Sequence, residues 1–199
     1  MGPDASRLDR VFFARPTEVV AEALVGCWLV RETQEGLVAG RIVETEAYGG
    51  PADPASHAAM YPRSREAVMA SAAGTVYVYR SYGVHACLNV VAKVDGAVGA
   101  VLIRAVQPCG GIALMRRRRG DVPDRDLCRG PGRLTQAFAI TIVDSMTDVV
   151  ARDDLWLEPA EGNAVVVRSP RVGITRAVDR EWRFTEAASP FVSGRRVTA

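Results

Sequence analysis

Two glutamates and a tyrosine alternate along one predicted strand and could carry acid–base chemistry. Glu44, Glu46 and Tyr48 occupy positions i, i+2 and i+4 of a β-branched run, so they lie on the same face of a strand. Carboxylates two residues apart on a strand are about 7 Å from one another, close enough to influence each other's ionisation. One of them could hold a cation while the other acts as a general base. A surface strand with solvated acids fits the same alternation, and the spacing gives the two interpretations equal weight.

Three tyrosines lie close together in the sequence around a predicted tight turn. Tyr77 and Tyr79 share a face of the strand before the turn, whereas Tyr82 lies at the hairpin tip. Core packing accounts for Tyr77, but an aromatic residue at a tip has little core around it. Base stacking is one role for such a ring, since it contributes about 1–3 kcal/mol per base.

The histidines and cysteines form no recognised metal or nucleophile motif. His57 falls in a long loop and His85 on a strand, and neither has the following glutamate and cysteine pair of a zinc deaminase. The four cysteines include no C-x-x-C pair, so reduced and mostly buried thiols are expected. The sequence also lacks a Walker loop, a dinucleotide-binding glycine motif and a serine-nucleophile elbow. We therefore expect no metal and no cofactor.

The elements that must position these residues follow an α+β pattern. Hydrophobic periodicity predicts longer strands over 27–32, 37–48, 75–79, 84–93 and 98–106, the last stopped by Pro108. Shorter strands are predicted over 156–158, 164–168, 172–175 and 182–185. Helices are predicted over 16–26, 64–71 with Ser64 as its cap, 110–119 and 131–138. The loop over 49–63 is long for a compact domain, and such loops are often functional.

Tight turns between the middle strands favour a largely antiparallel, curved sheet flanked by short helices. No linker or repeat interrupts the chain, so residues 1–199 are expected to form a single mixed α+β domain, with the order of residues 1–12 left open. A monomer is expected.

Composition and charge favour a cytoplasmic protein with an uneven basic surface. The longest apolar runs, such as 98–103, fall far short of the ~20 residues of a membrane span, and the N-terminus lacks an apolar signal core. Between residues 104 and 133, eight arginines against three aspartates give a local excess of five positive charges. Guanidinium groups suit phosphates, although a solvated helix face is the more common explanation of a run of four arginines, and a compositional bias of the gene is another.

Seven sequence blocks together resemble the alkyladenine (3-methyladenine) DNA glycosylase family. The most specific is the strand GRIVETEAY, and the blocks follow the family's order from about Arg15 to Ser193. They are GRIVETEAY (40–48), DPASH (53–57), YVYRSYG (77–83), CLNV (87–90), VLIRA (101–105), GPGRL (130–134) and SPFVS (189–193).

The resemblance implies a base-excision repair enzyme acting on double-stranded DNA, and the lysine content favours a monofunctional one. Such an enzyme flips a damaged purine nucleotide out of the duplex and hydrolyses its N-glycosidic bond. By this likeness Glu46 is the general base that activates water, and Arg104 and the carbonyl of Val192 help to hold that water. Strand-cutting glycosylases usually use an amine nucleophile, whereas the only lysine here, Lys93, lies outside every matched block. This favours hydrolysis by water, and the N-terminal amine is the one alternative nucleophile left open.

The resemblance also implies a base-binding pocket and a DNA-facing surface. Asn89 would lie at the pocket floor and reject the exocyclic amine of normal guanine. Tyr82 would be the wedge that fills the gap in the minor groove, and Arg133 would meet the DNA backbone. The aromatic walls that stack on the base would be Tyr48, His57 and Tyr79.

Two departures from the family pattern bear on the range of lesions. The family often has Arg-Asn and then Met-Phe after the histidine, where this chain has Arg65-Glu66 and Met69-Ala70. It also commonly has a methionine where this chain has Val84. A changed pocket entrance and a smaller intercalating edge would narrow or shift the lesions accepted. The acid that would activate a neutral leaving group is not identified.

A second class of function is a damage-recognition module that binds distorted DNA without cutting it. Glu46, Arg104 and Asn89 are retained together, and a pure binder has no need of a water-activating set. An RNA-directed relative is a third, weaker alternative.

Overall fold

A curled antiparallel sheet of eight strands carries most of the predicted site residues in the computed structural model, which describes residues 7–81 and 83–194. The strands are β1 (Trp28–Thr33), β2 (Gly36–Tyr48), β3 (Val76–Ser81), β4 (His85–Val91), β5 (Ala100–Gly110), β6 (Leu155–Glu158), β7 (Val166–Ser169) and β8 (Arg183–Glu186). The main path runs β3-β4-β5-β2-β1-β6, and β8 joins β2 to β7. The predicted α+β class with a largely antiparallel sheet is confirmed.

Short helices pack around this sheet. They are α1 (Arg10–Phe13), α2 (Thr17–Ala23), α3 (His57–Met60), α4 (Ser64–Met69), α5 (Ile112–Arg119) and α6 (Pro131–Ala137), with 3-10 turns at Asp124–Asp126 and Ile142–Asp144. The Asp9 side chain caps α1 by accepting from the backbone N–H of Phe12. Within the described ranges, no helix is long and apolar enough to cross a membrane.

Strand β2 is the structural centre of the molecule. Its C-terminal half pairs with β5 on one side and with β8 on the other, so that Glu46 lies opposite both Leu102 and Arg183. Neighbours on both edges, together with packing on both faces, bury Glu44, Thr45 and Glu46 completely. Polar residues on this strand must therefore find partners within the protein.

The prediction that Pro108 ends its strand is wrong. Strand β5 continues to Gly110, and Pro108 pairs with Gly40 where the register shifts between Ala39 and Gly40. A proline without an N–H is tolerated at such an irregularity. The close approach also requires a glycine, because a Cβ at Gly40 would lie 2.5 Å from the backbone oxygen of Gln107.

Three further local predictions need correction. The segment 172–175 forms turns rather than a strand. The backbone N–H of Val172 donates to the Glu46 side chain instead of to a neighbouring strand. Arg63, not Ser64, is the N-cap of α4, and it makes no side-chain capping bond. The long loop over 49–63 contains α3, which begins at His57 after a cap by the Ser56 hydroxyl.

Candidate active site

A cavity of about 560 Å³ opens between β3, β4, the α3–α4 segment and the turn after Arg171. Its volume falls in the range of small-molecule pockets. The structure brings five predicted site residues together on its wall: Tyr48, His57, Tyr79, Asn89 and Arg104.

Glu46 lies directly behind this wall and is fully buried. The Tyr48 hydroxyl donates to its Oε2 at 2.7 Å, and Arg104 Nη1 donates to the same oxygen at 3.2 Å. The backbone N–H of Val172 donates to Oε1 at 2.7 Å. The three residues that donate these bonds line the cavity, so they separate the carboxylate from the cavity by a single layer of residues.

Burial raises the pKa of Glu46 above its ordinary value, and only part of this rise is offset by Arg104, the Val172 N–H and the Tyr48 hydroxyl. A carboxylate with a raised pKa is a stronger proton acceptor once it is ionised. Such tuning is typical of a general base that works near neutral pH.

Glu44 has a different environment from Glu46, although both are buried. Its carboxylate accepts from Arg183 Nε at 2.7 Å and from the backbone N–H and the hydroxyl of Ser193 at 2.5 and 3.0 Å. Arg104 Nε adds a longer contact at 3.3 Å. Glu44 therefore pairs with two guanidinium groups, whereas Glu46 pairs with one. The alternative of a solvated strand face is wrong, because both acids are inaccessible.

Arg104 connects the two carboxylates. Burial lowers the pKa of its guanidinium, but the charges of Glu46 and Glu44 outweigh this and raise the pKa overall. The side chain consequently stays charged. It fixes Glu46 from the cavity side while being held from behind by Glu44.

The opposite wall is aromatic. The His57 ring packs edge-on against Tyr79 with centroids 4.3 Å apart, and its Nδ1 lies 2.9 Å from the Tyr77 hydroxyl. Burial, together with the charge of Arg65, lowers the pKa of His57 to about 4. The imidazole is therefore neutral at pH 7.

Asn89 is buried and rigidly held. Its amide nitrogen donates to the backbone oxygens of Tyr77 and Cys87 at 3.1 and 3.2 Å. Both hydrogens of the amide are thus used within the sheet. The side-chain oxygen is the group that remains for a ligand in the cavity.

Comparison with known proteins agrees with this geometry. The family model described as methylpurine-DNA glycosylase matches residues 11–190. The chain belongs to the methylpurine-DNA glycosylase family. Membership confirms the resemblance read from the sequence, and with it the enzyme class, a DNA-repair hydrolase of N-glycosyl bonds.

Relatives of this glycosylase extend over nearly its full length. A Rhodopseudomonas palustris (strain BisB18) protein is 44% identical over 97% of this chain and 92% of its own length. A Granulibacter bethesdensis protein is 46% identical over 93% and 86%, and a Salinibacter ruber protein is 45% identical over 92% and 94%. All three carry the name "Putative 3-methyladenine DNA glycosylase".

Two further predicted residues of the glycosylase, Val192 and Arg133, do not line the cavity. The Val192 carbonyl accepts from Arg129 Nε at 2.8 Å, and the Val192 side chain packs with Val43. Arg133 lies half-exposed on α6, 3.7 Å from Asp126. Tyr82, the predicted wedge, lies outside the described residues.

Sequence reasoning missed a buried ion pair behind Tyr48. Arg171 forms two bonds to the Asp53 carboxylate, at 2.6 and 2.8 Å, and a third to the backbone oxygen of Ala47 at 2.9 Å. Its guanidinium stacks on the Tyr48 ring at 4.7 Å. Burial raises the pKa of Asp53, but the Arg171 hydrogen bonds prevail and lower it overall. Asp53 stands in a quoted block, whereas Arg171 gave no local signal.

Proposed function

We propose that this protein is a monofunctional DNA glycosylase that removes damaged purines from double-stranded DNA, with a water molecule activated by Glu46. The observation that carries the proposal is a buried carboxylate of raised pKa set behind an aromatic cavity of about 560 Å³, which has room for a flipped base. Burying an ionisable group costs free energy, and a protein that only binds DNA would gain nothing from it.

The aromatic wall supports binding of a flipped base. Extrusion of a nucleotide costs a few kcal/mol of stacking, which a stacked position between aromatic side chains recovers. Tyr48, His57 and Tyr79 supply such faces, and the rigid Asn89 limits the room for an exocyclic amine. A damaged purine, whether methylated or deaminated, is the class of base that these features suit.

Glu46 and Arg104 supply the chemistry at the sugar. As the C1′–N9 bond breaks, its electron pair leaves with the purine and positive charge develops on the sugar ring. The Glu46 carboxylate stabilises that charge and takes a proton from the water whose oxygen bonds to C1′. Arg104 keeps the carboxylate ionised and oriented. The Val192 carbonyl, with one lone pair used by Arg129, offers a second acceptor to the same water.

Hydrolysis without strand cleavage follows from the residues at the site. No lysine is among the described residues that line the cavity. The described lining of the cavity therefore supplies no amine nucleophile for a Schiff base.

Contact with the duplex is assigned to Arg133 and Tyr82. Pro131, at the start of the helix that carries Arg133, borders the cavity, so a phosphate near Arg133 would lie beside the flipped nucleotide. Tyr82 would fill the space that the nucleotide leaves.

The test is release of free base from duplexes that contain methylated purines or hypoxanthine. We expect release by the wild-type protein, and a loss of about 100-fold or more in the single-turnover rate of Glu46→Gln. Glu32→Gln, an exposed acid on β1, is the matched control and should keep the wild-type rate. Binding of lesions without release across the panel would instead support the damage-recognition alternative. Trapping of a covalent complex by borohydride would contradict the monofunctional mechanism.

A further inference from the structure

Arg65 reaches the cavity wall from α4 and meets uncharged partners there. Its Nη1 donates to the Tyr77 hydroxyl at 2.7 Å. Its other contacts in the described part of the chain are aromatic faces: the guanidinium carbon lies 5.4 Å from the Tyr79 ring centroid, 5.7 Å from Tyr61 and 5.9 Å from Tyr77. The charge of Arg65 is therefore not neutralised by an acid at close range.

The other cations of the cavity differ from Arg65 in this respect. Arg104 is paired with Glu46 and Glu44, so that its charge is compensated. Arg80 borders the cavity but is exposed to solvent. Arg65 is thus the partly buried, uncompensated positive charge beside the aromatic wall.

A cationic base would compete with this charge in two ways. Aromatic faces attract cations, and the guanidinium already occupies those of Tyr61, Tyr77 and Tyr79. A flipped base that stacks on the same wall would also lie within several ångström of Arg65. Repulsion between two like charges about 6 Å apart at a partly buried site lowers a binding constant by about tenfold.

Arg65 also favours one tautomer of His57. The guanidinium can only donate, so the Tyr77 oxygen accepts from it, and the Tyr77 hydrogen is left to donate to His57 Nδ1 at 2.9 Å. In that arrangement the proton of the neutral imidazole is on Nε2. The aromatic wall accordingly offers a hydrogen-bond donor to a bound base.

We propose that Arg65 is a specificity-determining residue, which disfavours cationic alkylated purines and favours neutral damaged purines that carry a hydrogen-bond acceptor. The proposal rests on the function assigned above. It adds that the charge of one side chain sets how strongly the protein binds and cleaves cationic lesions relative to neutral ones.

The experiment compares duplexes with a single 7-methylhypoxanthine, which is cationic, and a single hypoxanthine, which is neutral; neither base carries the 2-amino group that Asn89 would reject. Binding is measured by fluorescence anisotropy in the Glu46→Gln background, where no chemistry is needed, and base release is measured with Glu46 intact. Arg65→Met and Arg65→Gln should raise the ratio of cationic to neutral lesion, in binding and in rate, by about tenfold. Arg65→Lys keeps the charge and should keep the wild-type ratio.

Arg63→Gln is the matched control, because Arg63 is exposed and two residues away. It should leave the ratio unchanged. An unchanged ratio in Arg65→Met, with wild-type thermal stability, would overturn the proposal. So would an equal shift in Arg65→Lys, since a shift without loss of charge would mark a packing role.

The two proposals fail in different ways. If the wild-type protein releases neither base but the binding ratio still follows the charge at position 65, the glycosylase mechanism is wrong and the specificity inference holds. If both bases are released and the ratio ignores Arg65, the inference alone is wrong.

Discussion

The backbone N–H of Val172 donates to Oε1 of Glu46 at 2.7 Å, although 126 residues separate the two in the chain. The bond fixes one oxygen of the carboxylate, while the other accepts from Tyr48 and Arg104. It also explains why the segment 172–175 is not a strand, since its first N–H serves the site. A turn far along the sequence thus completes the environment of Glu46, the proposed general base.

The rate of base release should depend on the ionisation of Glu46. A general base is active when deprotonated, so the single-turnover rate should fall as pH decreases. Because burial raises the pKa of Glu46, the midpoint of this fall should lie above 4.5. Tyr48→Phe removes a donor that lowers this pKa and should move the midpoint to higher pH. A midpoint at or below 4.5 in the wild type would contradict the assignment, and Tyr61→Phe, which removes a hydroxyl not bonded to Glu46, should leave the midpoint in place.

Glu44→Gln should destabilise the protein strongly, although the two side chains have nearly the same size. Glu44→Gln removes the negative charge that two buried guanidinium groups, of Arg183 and Arg104, share. Breaking a buried pair in this way costs about 3–5 kcal/mol of unfolding free energy. Urea denaturation measures the change, with the exposed Glu32→Gln as the control. A change below about 1 kcal/mol, the range of surface ion pairs, would show that Glu44 is not the anchor we describe.

The Asp53–Arg171 pair should make a pH-dependent contribution to stability. The pKa of Asp53 is lowered in the folded state, so its contribution is present above the unfolded value near 3.8 and is lost as pH falls through the folded value. Asp53→Asn should therefore destabilise the protein by on the order of 3 kcal/mol at pH 7. The difference from wild type should shrink below pH 3.8, as followed by denaturation at several pH values. A difference that is constant with pH would exclude the ion pair as its cause.

Gly40 should not tolerate a side chain. A Cβ there would lie 2.5 Å from the Gln107 carbonyl oxygen, in backbone that cannot move without breaking the β2–β5 pairing. Gly40→Ala should therefore cost about 1–3 kcal/mol, as overpacking does. Gly110→Ala on the partner strand places its Cβ at an ordinary 3.4 Å from Ala39 and should cost less. Equal unfolding midpoints for the two variants would contradict the close approach.

The local sequence pattern predicted most of the sheet and the residue types that make up the site. Alternation along 37–48 put Glu44, Glu46 and Tyr48 on one strand, and turn residues around Tyr82 predicted the β3–β4 hairpin. These features depend on the period of the strand and on the residues of the turn, both of which are written in neighbouring positions. The block order identified the family.

The sequence by itself determined which chemical groups are available, namely two carboxylates, an arginine and an aromatic cluster. Only the tertiary structure decided their roles. Glu44 and Glu46 have the same residue type and the same strand, and they differ because Arg183 and Ser193 reach one and Val172 reaches the other. Those partners come from segments more than 120 residues away. A pKa is set by burial and by neighbours in space, so spacing along one strand cannot assign it.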